Sequence, residues 1–230
     1  MKLTNVEKSL EYYKNTINNF NRNHQLDTVV EIIKDIIDPD LKIKCIETGA
    51  SSNIEDGCVG LFFAKLCELT KGEFHSVEIN LDLILKSKNL YKKHDLNVKH
   101  HHQDSVNYLK TTEFIPNLIH LDSWDLDLMD PFPSALHGWR EFTAIEDKMP
   151  IGSIIIIDDN FFKGTWVDYN VMINREYNGE VKRIDIEYPI IGKGSMVYHF
   201  VISRRIENNW EKISLDTVGH NIKLIFKKVK

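Results

Sequence analysis

Ile154-Ile155-Ile156-Ile157-Asp158-Asp159-Asn160 is an apolar run that ends in polar residues. Four consecutive β-branched isoleucines suit a strand buried on both faces, as in the interior of a parallel sheet. The run stops abruptly at carboxylates. Further up the chain, Ile119-His120-Leu121-Asp122-Ser123-Trp124-Asp125 does the same. In open α/β sheets, ligands bind beyond the carboxyl ends of the strands. If these two strands are neighbours, Asp122, Asp125, Asp158, Asp159 and Asn160 crowd one rim. So many acidic groups repel one another unless a cation or a proton is shared among them. The pattern points to a site built for chemistry, with a metal as the expected cation.

On either side of these runs, apolar segments of strand type alternate with helical periodicity. Strand-like runs lie at Ile43–Ile46, at Phe74–Val77 closed by Glu78, and near Asn97–His100 closing at Asp104. The fourth ends at Asp122 and the fifth at Asp158. Between them fall helical patterns: Val59 to Leu69, Leu81 to about Tyr91, Val106–Lys110, and a helix capped by Ser134 through Ala135, Trp139, Phe142 and Ile145. This alternation predicts a Rossmann-like, doubly wound, mostly parallel sheet with right-handed crossovers. Two helices precede it, over residues 5–23 and from Asp27 to before Pro39. They predict an N-terminal helical cap over residues 1–40, with residues 41–230 as one α/β unit. After residue 165 the pattern turns β-rich. Residues 182–188 and 195–202 and a pair within 213–229 around Gly219 read as strands, so the sheet is expected to finish antiparallel.

Composition narrows the function classes. The chain has 230 residues, 42% of them hydrophobic, and a formal net charge of −5. That suits one large α/β domain and gives no electrostatic reason to expect a nucleic-acid partner. Lys223, Lys227, Lys228 and Lys230 near the end read as a solvated terminal strand. Three cysteines, Cys45, Cys58 and Cys67, form no CxxC. They suit thiols used as small core residues in a reducing compartment. Neither an apolar signal segment at the start nor a membrane-length apolar run is present. A soluble, cytoplasmic protein is expected, with no membrane partner. Antiparallel terminal strands and exposed helices would allow a homodimer.

The strand ends carry further acids. Glu47-Thr48-Gly49-Ala50-Ser51 follows the first strand, and Gly49 allows a tight turn and close approach to a ligand. It lacks the full GxGxxG spacing of a dinucleotide loop. Glu78 is placed to bind two ribose hydroxyls, and Asp104 beside Ser105 could accept from an adenine amino group. Each alone could equally be a helix cap or a loop acid. Glu47, Glu78 and Asp104 at three successive strand ends form a phased set.

That set resembles the class I S-adenosylmethionine-dependent methyltransferases. Glu47-Thr48-Gly49 stands as the first motif, Glu78 as the ribose acid, and Gln103-Asp104-Ser105 as the adenine-side motif. The antiparallel ending resembles that fold too, and the likeness spans roughly residues 41–205. Within the class, Asp122-Ser123-Trp124-Asp125 and Asp158-Asp159-Asn160 resemble the metal-dependent O-methyltransferases of the catechol and macrocin types. Here two residues separate Asp122 from Asp125, where the macrocin type has one.

The resemblance implies S-adenosylmethionine as cofactor, held by Glu47, Thr48, Gly49, Ala50, Ser51, Glu78, Asp104, Ser105 and Asp122. It implies a magnesium ion drawn from Asp122, Asp158, Asp159 and Asn160, and a seven-stranded sheet. Asp122 and Asp125 are the expected catalytic pair, with Asp125 taking the acceptor's proton. A hard dication with oxygen ligands would lower the pKa of a bound hydroxyl. The acceptor is then a hydroxyl of a small molecule or a sugar. Two other readings stand beside this one. An NAD(P)-dependent oxidoreductase lacks support from GxGxxG or a Tyr-x-x-x-Lys motif, and a non-catalytic Rossmann-like binding module is compatible with the few glycines.

His100, His101 and His102 read as polar residues of an edge strand rather than as a ligand triad. His137 and Glu141, one helical turn apart, could face the site or solvent. Trp124, Phe161, Phe162 and Trp166 could wall a pocket or pack in the core. Lys193, between Gly192 and Gly194, could meet an anionic substrate if its loop reaches the rim.

Overall fold

The computed structural model describes residues 3–17, 24–38, 40–168, 183–203, 209–214 and 222–230. Two helices, α1 (Asn5–Thr16) and α2 (Asp27–Ile33), come first. Then follow β1 (Lys44–Thr48), α3 (Gly60–Leu69), β2 (Glu73–Glu78), α4 (Leu81–Lys93), β3 (Lys99–His102), α5 (Ser105–Thr111), β4 (Leu118–Leu121), α6 (Phe132–Ile145) and β5 (Ile154–Phe162). The remainder is β6 (Trp166–Asp168), β7 (Arg183–Asp185), β8 (Ile190–Gly192), α7 (Ser195–Ser203), β9 (Trp210–Lys212) and β10 (Ile222–Lys228).

The main sheet runs β3-β2-β1-β4-β5-β10-β9, with β8 as an eighth strand paired to β5. The first five are parallel, whereas β10, β9 and β8 pair antiparallel. The doubly wound sheet with an antiparallel ending is therefore present and, among the described residues, one short strand larger than the expected seven. Strands β6 and β7 pair separately.

Strand parity sorts the core into two layers. Cys45, Phe74, Leu118, Ile154, Ile156 and Ile225 pack with α1, α2 and α3. Ile46, Val77, Ile119, Ile155, Ile157 and Leu224 pack with residues of α5, α6 and α7. The four isoleucines of β5 alternate between the layers and are all nearly inaccessible, each burial stabilising by roughly 1.5–3 kcal/mol. The N-terminal helices share the first layer: Val6, Tyr13, Val29 and Ile33 belong to the same cluster as Leu61 and Phe62.

Two elements depart from the expected pattern. Residues Ser195–Ser203 form helix α7, not a strand. Its β-branched and aromatic composition suits a strand, but Val197 and Val201, one turn apart, are the buried pair, so packing overrides propensity. Likewise β5 does not end at Asp158 but continues to Phe162. Gly219 and residues 18–23 and 182 lie outside the described residues. Among the described residues no helix is long and apolar enough to cross a membrane.

Candidate active site

A cavity of about 650 Å³ opens at the carboxyl ends of the parallel strands, within the roughly 300–1,000 Å³ of small-molecule sites. The β1 turn, the end of β2, the segment after β4 and the β5 bulge all line it. Gly49, Ala50, Ser51, Glu78, Asp122, Asp125, Asp158 and Asp159 are thus brought together as expected, joined by Gln25, Asn80 and Lys193.

On the β1–β2 side, acids organise backbone. Gly49 has φ +79°, and a Cβ there would collide with the Asp122 carbonyl, so only glycine fits. Glu78 is half-buried and accepts from Asn80 N–H (2.7 Å) and Ala50 N–H (3.2 Å). Each of its oxygens keeps a lone pair for the cavity.

Glu47 does not reach the cavity. It is 1% exposed and accepts from Ser51 Oγ (2.7 Å), Ser51 N–H (3.3 Å) and Ser76 Oγ (3.3 Å). Burial pushes its carboxyl up to about 7, against the pull of His120 and Ser51. Its role is to anchor the loop from below, and a Cβ on Gly60 would strike it and the Tyr91 hydroxyl. Thr48 is also buried; its carbonyl accepts from Asp122 N–H (3.1 Å).

Two further expected cofactor residues lie off the cavity lining. Asp104 caps α5, accepting from Asn107 N–H at 2.9 Å. Ser105 is buried, with its hydroxyl 3.1 Å from His137 Nε2 and 3.4 Å from Ser123 Oγ. His137 and Glu141 turn inward to this network, where Glu141 accepts from Ser123 Oγ at 2.7 Å. None of the four aromatics lines the cavity. Trp124 and Trp166 are exposed, while Phe161 and Phe162 pack in apolar clusters.

The β4–β5 side is built by a bulge. Ile157 pairs with Leu224 and Asn160 with Ile222, so Asp158 and Asp159 stand opposite the single residue Lys223. Asp159 takes φ +52°, a left-handed conformation that aspartate tolerates better than most residues. Bulges re-aim side chains, and here both consecutive carboxylates reach one cavity. β4 ends at Leu121. Since β10 holds the other edge of β5 through Asn160, β8 pairs on the edge that β4 vacates. That brings Gly192-Lys193-Gly194 beside Asp122.

Lysines neutralise the acids there. Lys193 Nζ donates to Asp122 Oδ1 and lies 2.7 Å from Asp159 Oδ2. Lys223 Nζ donates to Asp158 Oδ2 at 2.5 Å. Lys223 is therefore a buried ion-pair partner, not part of a solvated strand, and Lys228 is buried as well. Burial disfavours the charge on Asp158, yet Lys223 and His120 hold its carboxyl well below the usual range. Burial pushes Asp122 up, Lys193 pulls it back, and Asp158 and Asp159 push it up again. Burial disfavours the Lys193 ammonium, but Asp122, Asp159 and Asp158 outweigh it and raise its pKa.

His120 completes a polar row on one face of the sheet. Glu47 pairs in register with Ser76 and His120; His120 Nε2 lies 3.4 Å from Asp158 Oδ2, and Nδ1 lies 3.9 Å from Glu47 Oε1. His120, Asp122 and Asp158 offer ligand atoms within 4.8 Å of one another.

The four residues expected to hold magnesium do not fit it as arranged. Asn160 is wholly buried and does not line the cavity; its Nδ2 donates to the carbonyls of Ile157 (2.9 Å), Asp158 (2.9 Å) and Ile222 (3.2 Å), and its Oδ1 accepts from Gly194 N–H (2.8 Å). The three aspartates already face two ammoniums, where an octahedral dication would need their oxygens and room for its waters.

The fold is shared with solved methyltransferase structures. Over all of this chain and 89% of its own, the methyltransferase PaMTH1 of Podospora anserina, solved with SAH bound, superposes with a TM-score of 0.56 at 16% identity. An S-adenosylmethionine-dependent methyltransferase from Clostridium acetobutylicum matches 97% of this chain and 99% of its own, with TM-score 0.55 and 12% identity. TehB from Haemophilus influenzae matches 96% of this chain and 67% of its own, at 0.52 and 14%. The chain has the fold of class I S-adenosylmethionine-dependent methyltransferases. No protein-family model matches it, and no curated protein matches it in sequence.

The Lys193 loop reaches the rim as the sequence allowed, but the lysine meets Asp122 and Asp159. Two groups were missed: Lys223 was hidden in a basic tail, and His120 in an apolar strand. His120 stood in the quoted β4 run, flanked by apolar residues, a position where a polar group needs buried partners.

Proposed function

We propose that the protein transfers a methyl group from S-adenosylmethionine to a hydroxyl of a small molecule or sugar. The observation that carries this reading is one cavity with two chemically distinct walls, on this fold. One wall has a glycine turn beside a carboxylate with unused lone pairs; the other has a lysine-bridged carboxylate cluster.

The first wall suits the cofactor. Gly49 permits backbone to approach closely, Glu78 can accept from two ribose hydroxyls, and Ile79 and Leu83 add apolar contact. Bound there, the donor supplies an electrophilic sulfonium methyl, whose carbon–sulfur bond breaks with its electron pair left on sulfur. On the second wall the acceptor oxygen is aligned and deprotonated. Its lone pair forms the new carbon–oxygen bond, and its proton passes to Asp125, the exposed carboxylate on the lip. Asp122, tied to Lys193, keeps that oxygen in place. Alignment of this kind accounts for much of the rate in a direct displacement.

Calorimetric titration with S-adenosylmethionine, S-adenosylhomocysteine and NAD tests the reading. Binding of the first two without NAD is the expected result. Binding of NAD alone would turn the assignment to an oxidoreductase, and binding of none to a non-catalytic module.

A further inference from the structure

We propose that Lys193 is the permanent cation of this site: it does the work of a divalent metal, binding the acceptor oxygen directly and making the metal unnecessary. This deepens the methyl-transfer reading and rests on it.

Lys193 lines the cavity yet is only 4% exposed. Asp122 and Asp159 engage two of its three ammonium N–H groups. The third is left for an oxygen in the cavity. A cation between paired carboxylates that also offers a position to substrate oxygen is what a bound metal would provide. Here it is covalently part of the chain.

The backbone holds it rigidly. Lys193 N–H donates to the Asp159 carbonyl at 3.3 Å. Gly194 N–H donates to Asn160 Oδ1 at 2.8 Å. Gly192 has φ +129°, and the Lys193 carbonyl lies so close to Gly138 that a Cβ there would collide with it. Asn160, expected as a metal ligand, is thus a positioning residue that ties the lysine loop to the bulge. A charge fixed this way needs no reorganisation when negative charge develops on the acceptor oxygen. As the acceptor's O–H proton leaves for Asp125, the third N–H of Lys193 stabilises the oxygen that forms the bond to carbon.

Manganese titration followed by electron paramagnetic resonance, with no methyl donor present, tests the proposal. The intact protein should bind no Mn²⁺ at micromolar concentration. Lys193→Ala removes the ammonium and leaves Asp122 and Asp159 without a cation beside the Lys223-paired Asp158, so it should acquire a Mn²⁺ site at least tenfold tighter than any in the parent. Lys193→Met keeps the stem and serves if the alanine variant does not fold. Micromolar Mn²⁺ binding by the intact protein would overturn the proposal, and decides alone should neither variant fold. Folded variants that gain no Mn²⁺ affinity would also overturn it. Because no donor is present, a protein that binds both donor and Mn²⁺ would refute the lysine role and leave methyl transfer standing.

Discussion

The two walls of the cavity use the same residue type in opposite ways. On the β1–β2 side, Glu47 beneath the loop and Glu78 in the lining accept hydrogen bonds from neutral groups, namely backbone N–H and serine hydroxyls. On the β4–β5 wall, Asp122, Asp158 and Asp159 face the ammoniums of Lys193 and Lys223. The first arrangement shapes a loop and leaves Glu78 with lone pairs to spare. The second fixes charge around two buried lysines. A carboxylate at a strand end becomes a loop anchor, a ligand acceptor or an ion-pair partner according to what folding sets beside it.

The contrast breaks first, and hardest, at the buried pair. Asp158→Ala would strand the Lys223 ammonium, and removing one partner of a buried pair costs about 3–5 kcal/mol. That is a large share of a typical domain stability of roughly 5–15 kcal/mol. Urea denaturation measures it. Replacing both residues, as Asp158→Leu with Lys223→Met, should recover most of the loss. A cost below about 1 kcal/mol for the single variant would mean that the charged wall is not held by this pair.

The neutral wall should show itself in pH dependence. Glu47 is raised from 4.5 to about 7 by burial. Between those values the folded state binds more protons than the unfolded one, so this group's contribution falls as pH rises through the window. The total is on the order of 3 kcal/mol. Asp158 has the opposite sign: it is lowered in the fold, so its contribution is lost as pH falls below the ordinary carboxylate range. Stability of Glu47→Gln relative to the parent should therefore climb from pH 4.5 to 7 and then level off. Parallel pH profiles would show that Glu47 is not a buried, proton-holding anchor.

Smaller effects sharpen the same division. Gly49→Ala places a side chain at φ +79° against the Asp122 carbonyl and should cost about 1–3 kcal/mol, with loss of donor binding by calorimetry. Glu78→Ala should change stability by no more than about 1 kcal/mol. It should weaken the donor about tenfold or more, since hydrogen bonds to a charged group contribute roughly 1.5–3 kcal/mol. Undiminished donor affinity in Glu78→Ala would remove that residue from the cofactor wall.

Much of the fold was legible because hydrophobic period and strand-end chemistry are local. The isoleucine run of β5, the glycine turn after β1 and the acid closing β2 all sit where their sequence context puts them. What was not legible depends on pairing between distant segments. The bulge that aims Asp158 and Asp159 together requires Ile222 and Leu224 of β10. Lys193 reaches Asp122 only because β4 is shorter than β5 and β8 fills the gap. Helix α7 was hidden by a composition that favours strands, and its buried Val197 and Val201 became visible only through packing. Asn160 follows two aspartates and shares their polarity, yet its amide is buried and tied to backbone.

Crystals of the protein grown with S-adenosylhomocysteine and Mn²⁺, with anomalous scattering recorded for the metal, give the most direct test. The ribose hydroxyls should lie within hydrogen-bond distance of Glu78, with no manganese peak between Asp122, Asp158 and Asp159. Ligand density outside this cavity, or manganese seated where the Lys193 ammonium stands, would contradict a cavity divided into a neutral cofactor wall and a lysine-bridged acceptor wall.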